Sequence, residues 1–216
     1  DEPAGERREE GVGVSEPSAP PVDVDQLRSL VGDIYGEVAS KPDGEYHFHT
    51  GRAALDHLGY PSTLIEPLPD DAVDAFAGVT YVFDPGLPAR GDRVIDVGSG
   101  AGADALIAAQ VVADQGAVIG VDMNERMLER ARTAAGQAGI HNVAFRRGLI
   151  EELPVEDDWA DVIISNGVLN LVPDKLAAYR ELFRVTRPGG RLQISDICVE
   201  QEVPEEAKRD IDLWGA

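Results

Sequence analysis

Three observations on the 216-residue sequence predict an α/β fold, a doubly wound and mainly parallel sheet with an N-terminal helical cap. After Gly91, short β-branched runs alternate with helical stretches, the pattern of a parallel sheet covered on both faces. The first of these runs ends in a glycine-rich turn that opens a helix, Asp96-Val97-Gly98-Ser99-Gly100-Ala101-Gly102. The ninety residues before Gly91 carry mostly helical periodicity.

Taken in order, residues 1–23 mix Glu6, Glu9, Glu10, Glu16 and Asp23 with Gly, Ser and Pro. Such a segment buries too little apolar surface to offset its ordering entropy, so a disordered acidic tail is expected. Residues 24–90 form the cap. Leu27, Leu30, Val31 and Ile34 recur at helical spacing over Val24 to Ser40, further helices run from Gly51 to Leu58 and from about Pro69 to Phe76, and Pro85 to Gly91 is a linker. Residues 91–216 form the second domain, with strands at Arg93–Val97, Ala117–Asp122, Val143–Arg147, Asp161–Ser165 and Arg191–Ser195. Helices fit between them at Ala103–Asp114, Glu125–Ala138 and Lys175–Thr186, the last stopped by Pro188-Gly189-Gly190.

Composition excludes several classes of function. The formal charge of −21 repels a phosphate backbone and an anionic membrane surface, so neither nucleic acid nor membrane is an expected partner. No apolar run reaches the roughly 20 residues of a membrane helix, and a cytoplasmic location is expected. The single cysteine, Cys198, lies in a strand-like apolar stretch and reads as a buried bystander; no metal site is expected.

The glycine turn carries the chemistry. Three glycines at alternate positions let the backbone bend sharply and approach a ligand with no Cβ in the way. Gly98-x-Gly100-x-x-Ala103 also fits the loose dinucleotide fingerprint. Asp96 separates the two, because a carboxylate there repels a pyrophosphate and attracts the ammonium and sulfonium of S-adenosylmethionine. Ser99 and Gly102 complete the turn.

Asp122 closes the second strand about 20 residues on, where a carboxylate accepts from ribose hydroxyls; an N-cap for the following helix is the alternative. Met123 beside it packs on the adenine or in the core. After the third strand, Leu149, Ile150 and Glu151 are candidates to hold the adenine, and Ser165 and Asn166 emerge from the fourth strand where the transferred methyl is expected. In the cap, Tyr46-His47-Phe48-His49 is a compact polar and aromatic cluster. On a strand, His47 and His49 would share one face, which permits general-base work; structural or surface histidines are the alternative. Tyr46, His47, His49 and Asn166 are the catalytic candidates, and Tyr35 is an aromatic with either a packing or a contact role.

With these motifs in order, and with Arg187-Pro188-Gly189-Gly190-Arg191-Leu192 turning into the fifth strand, the chain resembles the class I S-adenosylmethionine-dependent methyltransferases over about Gly91 to Cys198. The resemblance implies a Rossmann-like sheet, S-adenosylmethionine as cofactor and a small-molecule methyl acceptor. More narrowly, Asp96 to Asp104, Gly120-Val121-Asp122-Met123 and Ile164 to Lys175 resemble the arsenite methyltransferase branch, as do Ile194-Ser195-Asp196-Ile197 and Asp212-Leu213-Trp214-Gly215-Ala216. That branch binds trivalent arsenic through cysteine thiolates, which suit a soft centre. Here Gly167 stands where the branch has a cysteine, and Phe76 to Thr80 carries none. An organic O, N, S or C acceptor is therefore the alternative, followed by a dinucleotide oxidoreductase and a non-catalytic binding protein. The resemblance further implies two strands after the fifth, for which the twenty residues after Asp196 do not suffice, so a C-terminally incomplete domain is expected.

Overall fold

Alternation of side chains across the strands decides the layers. In the computed structural model, which describes residues 22–201, 203–210, 213 and 214, five strands pair in parallel in the order β3-β2-β1-β4-β5. They are β1 (Arg93–Val97), β2 (Ala117–Asp122), β3 (Val143–Arg147), β4 (Ala160–Asn166) and β5 (Thr186–Ser195). Val94, Val118, Val162 and Ile164 point to one face and pack with α5 (Ala103–Val112) and α6 (Glu125–Ala138). Ile95, Val97, Ile119, Val121 and Ile163 point to the other, against Ala178, Leu182 and Val185 of α7 (Lys175–Val185). By the same alternation Asp96 lies on the face of α5.

The N-terminal helices are α1 (Val24–Ser40), α2 (Gly51–His57), α3 (Ser62–Ile65) and α4 (Asp70–Val73). Helix α5 is apolar on nearly every side, and this composition requires cover on both faces. The sheet supplies one; Leu55, Ile65, Val73, Phe76 and Phe83 of the N-terminal segment join it in a common core on the other. Helix α1 packs through Val38 and Ala39 on Met127 of α6, and Arg130 of α6 donates to the carbonyls of Ala39 and Asp71, tying the ends of α1 and α4.

Several expectations change. The expected tail at 1–21 lies outside the described residues, and Asp23 is the N-cap of α1, its Oδ1 accepting from the Gln26 amide at 3.0 Å. The helix expected to reach Phe76 stops at Val73, because the chain turns there and the Phe76 carbonyl accepts from the Gly51 amide. Strand β5 starts at Thr186, which pairs with Ala160; Arg187 to Gly190 then loop out before Arg191 pairs with Val162. Residues 45–49 are irregular, with a bend at 47 and 48, so His47 and His49 have no shared strand face. Cys198 is exposed, since β5 ends at Ser195 and Ile197 and Val199 are exposed beside it. Helix α8 (Glu205–Lys208) follows. Among the described residues no helix is long and apolar enough to cross a membrane.

Candidate active site

At the C-terminal ends of β1, β2 and β4 the sheet opens into a pocket, roofed by α1 and by the segment after α4. Its floor is the glycine turn. Gly98 has φ +73, and a Cβ there would stand 2.2 Å from Cγ2 of Val168, so only glycine permits this close approach. Gly102, the N-cap of α5, does not line the pocket; a Cβ on it would meet Phe145 and Ala131 at about 3 Å, so this glycine lets α5 seat against β3 and α6.

Three carboxyls converge here. Asp96 is 2% exposed, its Oδ2 has no hydrogen-bond partner among the described residues, and burial followed by the charges of Asp104 and Asp122 pushes its pKa well above the usual carboxylate range. Asp104, in the first turn of α5, is also buried; Oδ1 accepts from the Tyr60 hydroxyl at 2.7 Å and Oδ2 from Nδ2 of Asn166 at 3.1 Å. Burial pushes its pKa up to about 6, against the opposing pull of those two hydrogen bonds. Asp122 accepts from the Gly100 amide on Oδ2 and from the Asn124 amide on Oδ1, both at 2.8 Å. Burial raises its pKa too, opposed by those amides. The N-cap of α6 is Asn124, whose Oδ1 accepts from Arg126 and Met127, so Asp122 is not spent on capping.

Ser99 is 8% exposed and its Oγ is without a partner among the described residues. Gly98, Ser99, Gly100, Met123, Leu149, Ile150, Glu151 and Asn166 line the pocket with Asp96 and Asp122. Glu151 pairs with Arg28 of α1 at 3.2 Å, closing the adjoining edge. Tyr35 also lines the pocket; burial and then the charges of Asp122 and Asp196 push its pKa up to about 12, so it stays a hydroxyl donor.

Other predicted residues fall elsewhere. Ser165 is fully buried and donates to the Val97 carbonyl, binding β4 to β1 beneath the pocket. His47 and His49 are exposed; His47 meets the Phe48 ring edge-on and His49 lies 5.5 Å from His57. Tyr46 donates to the Lys41 carbonyl and stacks on Phe48. None of the three lines the pocket. Conversely, Asp104, Tyr60 and the Ala77-Gly78 backbone belong to the site or its support without having been singled out. An acid in the first turn of a helix reads from sequence as a partner of the helix dipole, and a tyrosine in Gly59-Tyr60-Pro61 as part of a turn.

These groups fit a cationic, hydroxyl-rich cofactor. Two buried polar atoms await partners, three carboxyls favour positive charge, and the turn exposes backbone without side chains. A pyrophosphate would meet the same carboxyls as repulsion.

A fold of this kind with this site defines a Rossmann-like, cofactor-dependent transferase class, and the comparisons specify it. The family model described as "Methyltransferase domain" matches residues 88–215, and the chain belongs to that family of S-adenosylmethionine-dependent enzymes. An arsenite methyltransferase from Halobacterium salinarum is 39% identical over 169 residues, covering 76% of this chain and 41% of that protein. A ubiquinone/menaquinone biosynthesis C-methyltransferase from Vibrio campbellii is 43% identical over 105 residues, covering 48% of this chain and 40% of that protein. Among solved structures, an arsenic(III) S-adenosylmethionine methyltransferase from Chlamydomonas reinhardtii aligns with TM-score 0.55 at 36% identity, covering 72% of this chain and 51% of that chain. The chain thus spans about two fifths of the length of these curated relatives.

Proposed function

We propose that this chain binds S-adenosylmethionine in the pocket and transfers its methyl group to a small acceptor held against the Phe76–Gly78 and Val168–Val172 walls. The observation that carries the reading is the pair of buried atoms without a partner among the described residues, Asp96 Oδ2 and Ser99 Oγ, among three carboxyls from β1, β2 and the first turn of α5. When bound, the cofactor supplies an electrophilic methyl group on a sulfonium. Asp96 and Ser99 engage its polar amino-acid end, Asp122 its ribose, and Met123, Leu149 and Ile150 flank its base. Asp122 also fixes the Gly100 amide, keeping the turn in shape before the ligand arrives. The walls exclude water, and no residue need form a covalent intermediate.

The domain division 24–90 and 91–216, a cytoplasmic location and the absence of a nucleic-acid partner belong to the same reading; the −21 charge supports the last. Calorimetry with S-adenosylhomocysteine and with NAD tests it: binding of the first and not the second is expected, and the reverse would replace a methyltransferase with an oxidoreductase.

For the acceptor, the relatives' names point to arsenite. One observation favours an organic acceptor instead: among the described residues the pocket lining holds no cysteine, Gly167 included, and its walls are apolar. Radiolabelled methyl transfer to arsenite with glutathione present, compared with a panel of phenols, amines and quinols, separates the two.

A further inference from the structure

Ala77 and Gly78 line the pocket, on the side where the acceptor is proposed to sit, yet the segment Ala77 to Thr80 belongs to no helix or strand. Thr80 Oγ1 donates to Ser195 Oγ at 2.6 Å, and the backbone of the segment is gripped by Asn166. Oδ1 of Asn166 accepts from the amides of Val79, at 2.8 Å, and Thr80, at 3.3 Å, while Nδ2 donates to the Thr80 carbonyl at 3.0 Å. The backbone passes so close that a Cβ on Gly78 would stand 2.5 Å from that Nδ2. The same Nδ2 also lies 3.1 Å from Tyr60 Oη and from Oδ2 of Asp104, its two N–H groups being shared among these and the Thr80 carbonyl, and Tyr60 donates to Oδ1 of Asp104. Tyr60 is itself fixed edge-on against Phe76 and Tyr81.

Resting on the cofactor reading above, we infer that Asp104 is a positioning residue which, through Asn166 and Tyr60, locks the Ala77–Thr80 wall and couples its closure to filling of the cofactor end. Both carboxylate oxygens of Asp104 act as acceptors in the locked arrangement. Asn166 Nδ2 can only donate, so a proton on Oδ2 would remove that link. Asp96 shares the face, and the charge of Asp104 raises its proton affinity; the interaction is mutual, so the two resist being ionised together. A ligand ammonium against Asp96 relieves this repulsion and favours the ionised Asp104 that the lock requires. Because the coupling is reciprocal, a locked wall also favours the occupied cofactor end.

Amide hydrogen exchange of Val79 and Thr80 in the full chain, with and without S-adenosylhomocysteine, reads the lock directly. At about pH 6, where Asp104 is about half protonated in the free chain, saturation of the native protein with S-adenosylhomocysteine should slow exchange at both amides. Asp104→Asn should speed it about tenfold and abolish the ligand's effect, as loss of one charge-assisted hydrogen bond to a buried group predicts. Tyr60→Phe keeps the ring packing and the charge, and should give a smaller increase with the ligand response retained. The ligand comparison on the native chain needs no variant, so misfolding of Asp104→Asn leaves the test intact. Normal binding of S-adenosylhomocysteine with unchanged exchange at Val79 and Thr80 overturns the coupling alone. Failure of the native chain to bind it overturns the cofactor reading, and the coupling with it.

Discussion

Asp122 accepts from amides on two sides of the pocket floor, Gly100 in the turn and Asn124 before α6, so truncating it acts twice. Asp122→Ala is expected to weaken S-adenosylhomocysteine binding about 100-fold by calorimetry, from lost charge-assisted hydrogen bonds to ligand and turn together. Unchanged affinity would remove it from the ribose end. Asp104 makes a pH prediction with a definite sign. Its folded pKa, about 6, lies above the ordinary carboxyl value of 3.8 that holds in the unfolded chain, so its contribution to stability is full below about pH 4 and is lost as pH rises through 6. Asp104→Asn should therefore gain on the native protein between pH 4 and 7, by up to about 3 kcal/mol for a two-unit shift, in paired urea denaturations. A constant difference across that range would show that Asp104 titrates as in the unfolded chain. At this scale Asp96, Gly98 and Asp122 were legible because turn geometry and charge constrain them locally. Tyr60 and Asp104 were not, for they meet only after 44 residues of chain fold back.

Helix α6 is the anchor for the N-terminal helices, and Arg130 is the side chain that reaches both, through Ala39 and Asp71. Arg130→Ala should cost about 2 to 4 kcal/mol, two cationic hydrogen bonds to carbonyls, and lower Tm accordingly. Exchange at amides of α1 and α4 should rise while β1 and β2 stay protected; uniform loss of protection would mean that the two layers unfold as one unit. The bounds of α1, α6, β1, β2 and β3 agree with sequence periodicity because each is amphipathic or β-branched along its own length. The bounds of α4 and β5 do not, since a carbonyl-to-Gly51 contact ends one and a loop of Arg187 to Gly190 interrupts the other.

At the level of the whole molecule, the excess of 40 acidic over 19 basic side chains is self-repelling, and three of those carboxyls converge in the pocket. Raising NaCl from about 20 mM to about 0.5 M should raise Tm by screening this repulsion. A fall would show that exposed ion pairs such as Arg132 with Glu125 outweigh it. The sequence by itself determined the parallel sheet, the glycine turn, the cofactor class and the acid at the end of β2, because each rests on spacing within about 30 residues. Only the tertiary structure decided that Asn166 grips the Val79 and Thr80 backbone, that Ser165 faces the core, that the histidines of 47 and 49 stand outside the pocket and that Cys198 is exposed. The physical reason is that periodicity reports only which face of an element is buried, whereas the partner and exposure of each of these side chains are set by what packs against it from distant segments.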